Sequence, residues 1–223
     1  MIIAIETATS VCSVAAGKNG KTILEKRVEG KGVHSTYTFS FLKEILERYQ
    51  YRVEDLEAIL FSNGPGSYTG LRIGASAIKG LLFGKPVPLF ICSTLLAISV
   101  PHLIRGHNTV HAVLDARRSH LYHQKSFMHP DGYVQSESAE IREISELGRV
   151  IQEEDVVVGT GTERFKPDQL KASNVYGKEH ISAANLIHAW YDDRFDSHFQ
   201  EADPAQFEPE YLTLSQINNS RMK

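Results

Sequence analysis

The chain has 223 residues and a formal net charge of −3, enough length for one large domain or two small lobes with real cores. No basic surface dominates, which argues against a protein that grips nucleic acid alone through its phosphates. No apolar run reaches the length of a membrane span, and the opening MIIAIETAT reads directly as a strand, without a basic segment and apolar signal core. A cytoplasmic chain is expected, with Cys12 and Cys92, both in apolar contexts, as reduced core thiols.

In chain order, Ile2 to Glu6 reads as a strand, Thr7 to Ser10 as a polar turn, and Val11 to Ala16 alternates like a second strand. Lys18-Asn19-Gly20 is a hairpin turn, and Thr22 to Val28 supplies a third strand. A helix is expected from about His34 to Tyr49, then a strand at 57–61, a glycine-rich loop, and a helix from about Thr69 to Phe83. PVPLFICS, residues 86–93, is another strand, with Ser93 or Thr94 capping a helix toward Ile104. The second half begins again with strands at Val110 to Leu114 and Leu121 to Phe127. A Pro130-Asp131-Gly132 turn leads into Tyr133 to Gln135. A helix near 141–152, the strand Val156 to Val158, the loop Gly159-Thr160-Gly161 and a last helix near 182–195 follow. Each half thus opens with three strands and then alternates helix and strand, which suggests two related α/β lobes with a cleft between them. The division expected is 1–105 for the N-terminal lobe and 106–223 for the C-terminal lobe, ending in a flexible tail after Leu214.

FSNGPGSYTGLRIG, residues 61–74, runs from a buried strand through glycines into a helix. A helix start capped by Ser67 or Thr69 would point free N–H groups and a positive dipole end outward, as anion sites do. The P-loop spacing is absent, however, and no lysine follows Gly70 to reach a terminal phosphate. A structural turn stands ahead of an anion site.

Two helices are apolar on too many sides. On a wheel of about 100° per residue, Tyr37, Phe39, Phe41, Leu42, Ile45, Leu46 and Tyr49 spread over roughly twice the arc that a helix packed on one sheet needs. In the second helix Leu71, Ala75, Ile78 and Leu82 form one side, and Ile73, Ala77 and Leu81 nearly the opposite one. Gly70, Gly74 and Gly80 sit within it; each interior glycine costs on the order of 1 kcal/mol against alanine, which close approach of another element can offset. Either both helices are sandwiched inside the fold, or one face packs on the sheet and the other on a partner.

Candidates for chemistry are few. Of ten histidines, His107 and His111 are four apart but lead into a strand, and His120 and His123 fall on opposite strand faces. No metal site is expected. No GxSxG elbow supports a serine nucleophile. Asp115-Ala116-Arg117-Arg118 places a carboxylate and two cations at a strand end near the inter-lobe cleft, as a ligand site or a mutual salt bridge.

MIIAIETATSVCSVA, NGPGSYTGLRIG, KGLLFGKPVP followed by STLLAI, VLDARRSHLY and EPEYL are similar, in that order, to the bacterial TsaB (YeaZ) family over nearly the whole chain. The resemblance implies an α/β actin-like, sugar-kinase-like (ASKHA) fold of two βββαβα lobes, the second reduced. It implies a part in making threonylcarbamoyladenosine, the modified base beside the tRNA anticodon, as a non-catalytic dimerisation or scaffold subunit. The partners implied are a TsaD-like catalytic subunit, a TsaE-like P-loop ATPase, a second copy when alone, and tRNA indirectly through the complex. No cofactor is required of such a chain, with weak ATP or ADP binding confined to the complex.

In the family's manner the two over-apolar helices would form a bundle with the partner. Tyr37, Phe41, Ile45, Leu71, Gly74, Ile78 and Leu82 are then expected at or next to the interface. A vestigial nucleotide cleft would comprise Glu6, Thr7, Asp115, Arg117, Gly159 and Gly161. Active members of the wider fold place an aspartate and small residues where this chain has Glu6-Thr7-Ala8-Thr9, and glycines after the second aspartate where it has Ala116-Arg117. TsaD-like catalysts carry a histidine pair on a helix where Ser93 to Ile104 has only His102. The competing readings are a free-standing ATP-dependent phosphotransferase or ATPase using Glu6 and Asp115 and, more remotely, a peptidase.

Overall fold

The computed structural model describes residues 1–166 and 169–212; the tail expected after Leu214 lies outside the described residues. The first half forms β1 (Ile2–Glu6), β2 (Val11–Lys18), β3 (Lys21–Glu29), α1 (Val33–Tyr49), β4 (Ala58–Ser62), α2 (Tyr68–Leu82), β5 (Leu89–Cys92) and α3 (Thr94–Ile104). The second forms β6 (Thr109–Asp115), β7 (His120–Met128), β8 (Val134–Ser136), β9 (Glu140–Glu143), α4 (Ile144–Val150), β10 (Val156–Val158), β11 (Asn174–Tyr176), α5 (Ala184–Trp190) and β12 (Gln200–Ala202).

Two six-stranded sheets result. The first has the order β12-β5-β4-β1-β2-β3; the second runs β11-β10-β6-β7-β8, with β9 also paired to β7. β1 is antiparallel to β2 and parallel to β4, and β6 is antiparallel to β7 and parallel to β10. The repeat of strand directions is the actin-like pattern.

Strand alternation builds the layers. Ile3 and Ile5 of β1 point to α1 and α2 and join a core with Ile45, Phe61, Leu71 and Ile78. Ile2 and Ala4 point the other way, into a core that contains Leu95 and Ile98 of α3 and Leu186 and Ile187 of α5. That second core continues to Val110, Ala112, Val156 and Val158 of the second sheet, so α3 and α5 lie between the sheets. The outer face of the second sheet buries Val113, Leu121 and Val157 against Leu147 of α4. α3 is apolar all round because it is buried on all sides. Cys12 and Cys92 are free and buried.

Three departures from the expected elements have physical reasons. The helix expected at 141–152 divides into β9 and α4, because Ile141 and Arg142 pair with Tyr122 and Leu121 of β7. The last helix is shorter than 182–195: α5 stops at Trp190 and a 3-10 helix covers Asp193–His198. The chain then returns to the first sheet, where β12 pairs antiparallel with β5 and Phe207 meets Phe61 edge-on at 6.0 Å. The expected division at 105/106 therefore needs correction, since the residues after 105 are not confined to the second lobe. Among the described residues, β10 and β11 are joined by a 3-10 turn at Thr162–Arg164 and no α-helix, so the second lobe is the reduced one.

Candidate functional site

The glycine-rich loop is filled by protein. Ser67 is the N-cap of α2, its Oγ accepting from Gly70 N at 3.2 Å. Ser67 N donates to the carbonyl of Ala8 at 2.6 Å. A Cβ built on Gly66 would overlap the Ala8 carbonyl oxygen, and one on Gly70 would overlap that of Thr7. On Gly74 it would overlap Thr7 Oγ1 and crowd Phe61. Small residues therefore let α2 sit directly on the β1–β2 turn. The backbone carbonyls of Thr7 and Ala8 press on Gly70 and Gly66, and the Ala8 carbonyl takes the Ser67 N–H before the helix start. Gly64, at φ 119, sits against the carbonyl of Glu210 and donates to Thr94 Oγ1 at 3.0 Å. The loop ties sheet, α2, α3 and the returning chain together.

The six expected cleft residues fall into two groups that do not meet in hydrogen bonds. Glu6 and Thr7 are buried in the first lobe. Glu6 accepts from Ala8 N at 2.6 Å. Burial drives its pKa up to about 7, against the opposing hydrogen bonds from Ser62 and Ala8. Asp115 is exposed in the second lobe and pairs with Arg164. It also accepts from Arg117 N at 2.7 Å, which holds Arg117 at φ 71. The salt bridge considered for Asp115 with its arginine neighbours is thus made with Arg164, while the Arg117 and Arg118 side chains stay exposed. Gly159, at φ 120, and Gly161 press on Val113 of β6, with Gly161 N donating to its carbonyl at 3.0 Å. These glycines close the strand–loop junction and shape no open phosphate turn.

The expected interface residues need a correction of side. Phe41, Ile45, Leu71, Ile78 and Leu82 are at most 8% exposed and form the core under α1 and α2, and Gly74 faces Thr7. Only Tyr37 of the seven is exposed, tilted against Phe41 at 5.3 Å between centroids. The apolar arc was wide enough for two faces and the wheel left the outward one open; the sheet took the face that holds six of the seven. The outward face carries Phe39 at 52%, Tyr68 at 58% and, just past α2, Phe83 at 87% exposure. Leu46 and Leu81 line, with Phe39, a shallow cavity of about 340 Å³. Gly80 also lies on this side, and a Cβ built on it would meet no atom within 4 Å. Gly70 and Gly74 have neighbours inside the chain that explain them; Gly80 has none. Gly80 was singled out in the sequence as a site of close approach, whereas Tyr68 and Phe83 were missed. The positions of the Ser67 cap and the core stripe would have set the phase that points them outward.

Histidines missed as a group lie across the second sheet. His111 Nδ1 is 2.9 Å from His123 Nε2, and His111 Nε2 is 3.2 Å from Asp155 Oδ2. Burial and the neighbouring His123 push the His111 pKa down to about 4, against the pull of Asp155. Among the described residues, no group of three or more His, Cys, Asp or Glu side chains is placed to hold a metal ion.

The model of the family described as TsaD, tRNA N6-adenosine threonylcarbamoyltransferase, matches residues 31–183. The tRNA threonylcarbamoyladenosine biosynthesis protein TsaB of Escherichia coli strain K12 is 30% identical over 179 residues, covering 78% of this chain and 77% of that protein. The protein of the same name from Haemophilus influenzae is 33% identical over 124 residues, 54% of this chain and 51% of that one. YeaZ from Pseudomonas aeruginosa superposes with a TM-score of 0.75 at 21% identity, over 95% of this chain and 99% of that one. The architecture is that of an actin-like, sugar-kinase-like α/β protein. Within that class the chain belongs to the TsaB (YeaZ) family.

Proposed function

We propose that this chain takes part in tRNA threonylcarbamoyladenosine biosynthesis as a non-catalytic subunit that supports a TsaD-like transferase. The names of its relatives support the pathway. The observation that carries the subunit role is the outward face of α1 and α2, where Phe39 stands exposed on α1, Phe83 just past α2, and Gly80 is uncovered. Exposed apolar surface of this kind supports a protein–protein contact, and a helix glycine with open space above it admits a close partner helix. The filled first-lobe turn supports the same reading, because α2 and the Thr7 and Ala8 carbonyls leave no cradle there for a phosphate. In this proposal the chain requires no cofactor, ATP or ADP binds weakly and only in the complex, and a TsaE-like ATPase joins the pair. A second copy covers the face when TsaD is absent, tRNA is met through the complex, and the setting is cytoplasmic. No helix among the described residues is long and apolar enough to cross a membrane.

The test is light scattering on a sizing column, with the chain alone and then mixed with its TsaD-like partner. The wild type should form a mixed dimer, and Phe39→Glu combined with Gly80→Arg should abolish it while leaving the circular dichroism unchanged. Tyr133→Glu, an exposed aromatic of the second lobe, should leave the complex intact. A folded double variant that still forms the mixed dimer would remove the proposed surface. Nucleotide hydrolysis by the pure chain, lost in Glu6→Ala, would instead favour the free-standing enzyme.

A further inference from the structure

The chain crosses between its sheets twice. The first crossing is α3 with the link at 105–108, and the second leaves β11 and passes through 177–183 into α5. Four rings from these crossings meet. The His102 centroid lies 4.5 Å from Tyr176, 4.8 Å from His180 and 6.0 Å from His107, and Tyr176 lies 4.7 Å from His180. His102 is 0% exposed, and neither ring nitrogen has a hydrogen-bond partner. Buried polar atoms are nearly always paired. A ring left with two unpaired nitrogens in dry surroundings is tolerable while neutral and costly when charged. His102 is tilted by 38° against Tyr176 and by 30° against His180, so the rings meet in tilted face contacts.

The charged groups around the cluster do not offer His102 a carboxylate. On its own helix end stands Arg105, followed by His107; β11 contributes Tyr176. The second crossing contributes His180, whose Nε2 is 3.8 Å from Glu179. Glu179 also accepts from Gly177 N at 2.7 Å. Lys178 pairs with Glu29 of β3 at 2.6 Å, and Arg27 of β3 donates to the carbonyls of Lys178 and Ile181, both at 2.9 Å. The faces of β6, β10 and α5 in the core shared with α3 carry Val110, Ala112, Val156, Val158, Leu186 and Ile187. His111 and His123 pair with each other and with Asp155 on the opposite face of that sheet, and His188 of α5 turns to Thr22. On β7, the α3-facing Tyr122 donates to the carbonyl of Leu212, and Gln124 accepts from Ser93. Burial, then the neighbouring His180, His107 and Arg105, hold the His102 pKa down at about 4.

We propose that this ring cluster is a proton-operated latch between the two crossings, closed while His102 is neutral and opened when it takes up a proton. The closed latch resists protonation, whereas an opened His102 titrates near the ordinary value of about 6.5. Opening therefore takes up a proton between those limits. The latch is fully held above about 6.5 and weakens as pH falls toward 4.

Hydrogen exchange of the full chain tests this at about pH 5 and about pH 7.5, with rates corrected for the intrinsic effect of pH. In the wild type, peptides covering 94–107 and 174–183 should exchange on the order of tenfold faster at the lower pH, while those covering α1 and α2 hold. His102→Phe fills the same space without titrating, and its exchange in both segments should stay level. No rise in the wild type, or the same rise in His102→Phe, would overturn the latch. Should His102→Phe not fold, His180→Gln removes a neighbour that holds the His102 pKa down, so the lower limit rises and the rate increase at about pH 5 should be smaller than in the wild type; an undiminished increase would overturn the proposal equally.

Discussion

β1 and β6 hold equivalent places in their sheets, each antiparallel to the next strand and parallel to a later one, and each ends in an acid. The two acids meet opposite environments. Glu6 is 1% exposed and follows a run of buried β1 residues; Asp115 is exposed and satisfied by Arg164 and its own turn. The difference traces to the helices that come after. In the first lobe α2 has fifteen residues, a Ser67 cap and glycines that let it press on Thr7 and Ala8. In the second lobe the described residues of the loop after β10 make a 3-10 turn at Thr162–Arg164, and Arg164 supplies a charge in place of a lid. One strand pattern yields a dry turn or a wet one according to the helix laid over it.

The comparison breaks most easily at the layer that presses on the first turn. Leu71→Ala should cost about 2–5 kcal/mol in urea unfolding, the range for a fully buried leucine, whereas Phe39→Ser on the outward face should stay within about 0.5 kcal/mol. Equal effects would mean the two faces of the α1–α2 layer had been assigned the wrong way round.

The next effect is one of pH. Glu6 titrates near 7 in the fold, against 4.5 for the model carboxyl, so the folded chain holds a proton that the unfolded chain has released. Its contribution is fully present below 4.5 and is lost as pH rises through about 7. Glu6→Gln, which cannot ionise, should be more stable than wild type at about pH 8, on the order of 2 kcal/mol, and the gain should vanish at about pH 4. The buried His111 runs the other way. Its contribution is full above 6.5 and is lost as pH falls toward about 4. Thermal melts across pH should therefore show a first-lobe slope removed by Glu6→Gln and an acid limb that this variant leaves in place. Identical profiles for variant and wild type would remove Glu6 from the account.

Smaller effects sharpen the contrast. Ser67→Ala removes the cap of α2 and should lower stability by about 1 kcal/mol. Asp115→Asn breaks a solvent-exposed pair and should lower it by less than about 1 kcal/mol, with the difference shrinking at high salt. A larger, salt-insensitive loss at Asp115 would show that the second turn is as tightly built as the first.

Much of the fold was legible because it rests on local pattern. Alternation in IIAIE and VCSVA, the Asn19-Gly20 turn and the serine caps before α2 and α3 each act within a few residues. β9, β11 and β12 were not legible, since each is three or four residues long and exists through pairing with a distant strand. The candidate surface was half legible: the wheel of α1 and α2 showed too much apolar area for one sheet but chose the buried stripe. Glu6 and Asp115 were named together because the family resemblance implies a shared cleft, yet their protonation and partners depend on burial and on Arg164, forty-nine residues along the chain from Asp115.

By itself the sequence determined the two-lobed α/β plan and the glycine positions at 64, 66, 70 and 74, because periodicity and backbone permissiveness are written residue by residue. Only the tertiary structure decided which helix face stayed exposed, that the Thr7 and Ala8 carbonyls press on the glycines before and within α2, and that a buried His102 meets the half-buried His107 and His180. Those outcomes depend on which surfaces meet across the fold, and burial sets both the exposure of a side chain and the cost of charging it.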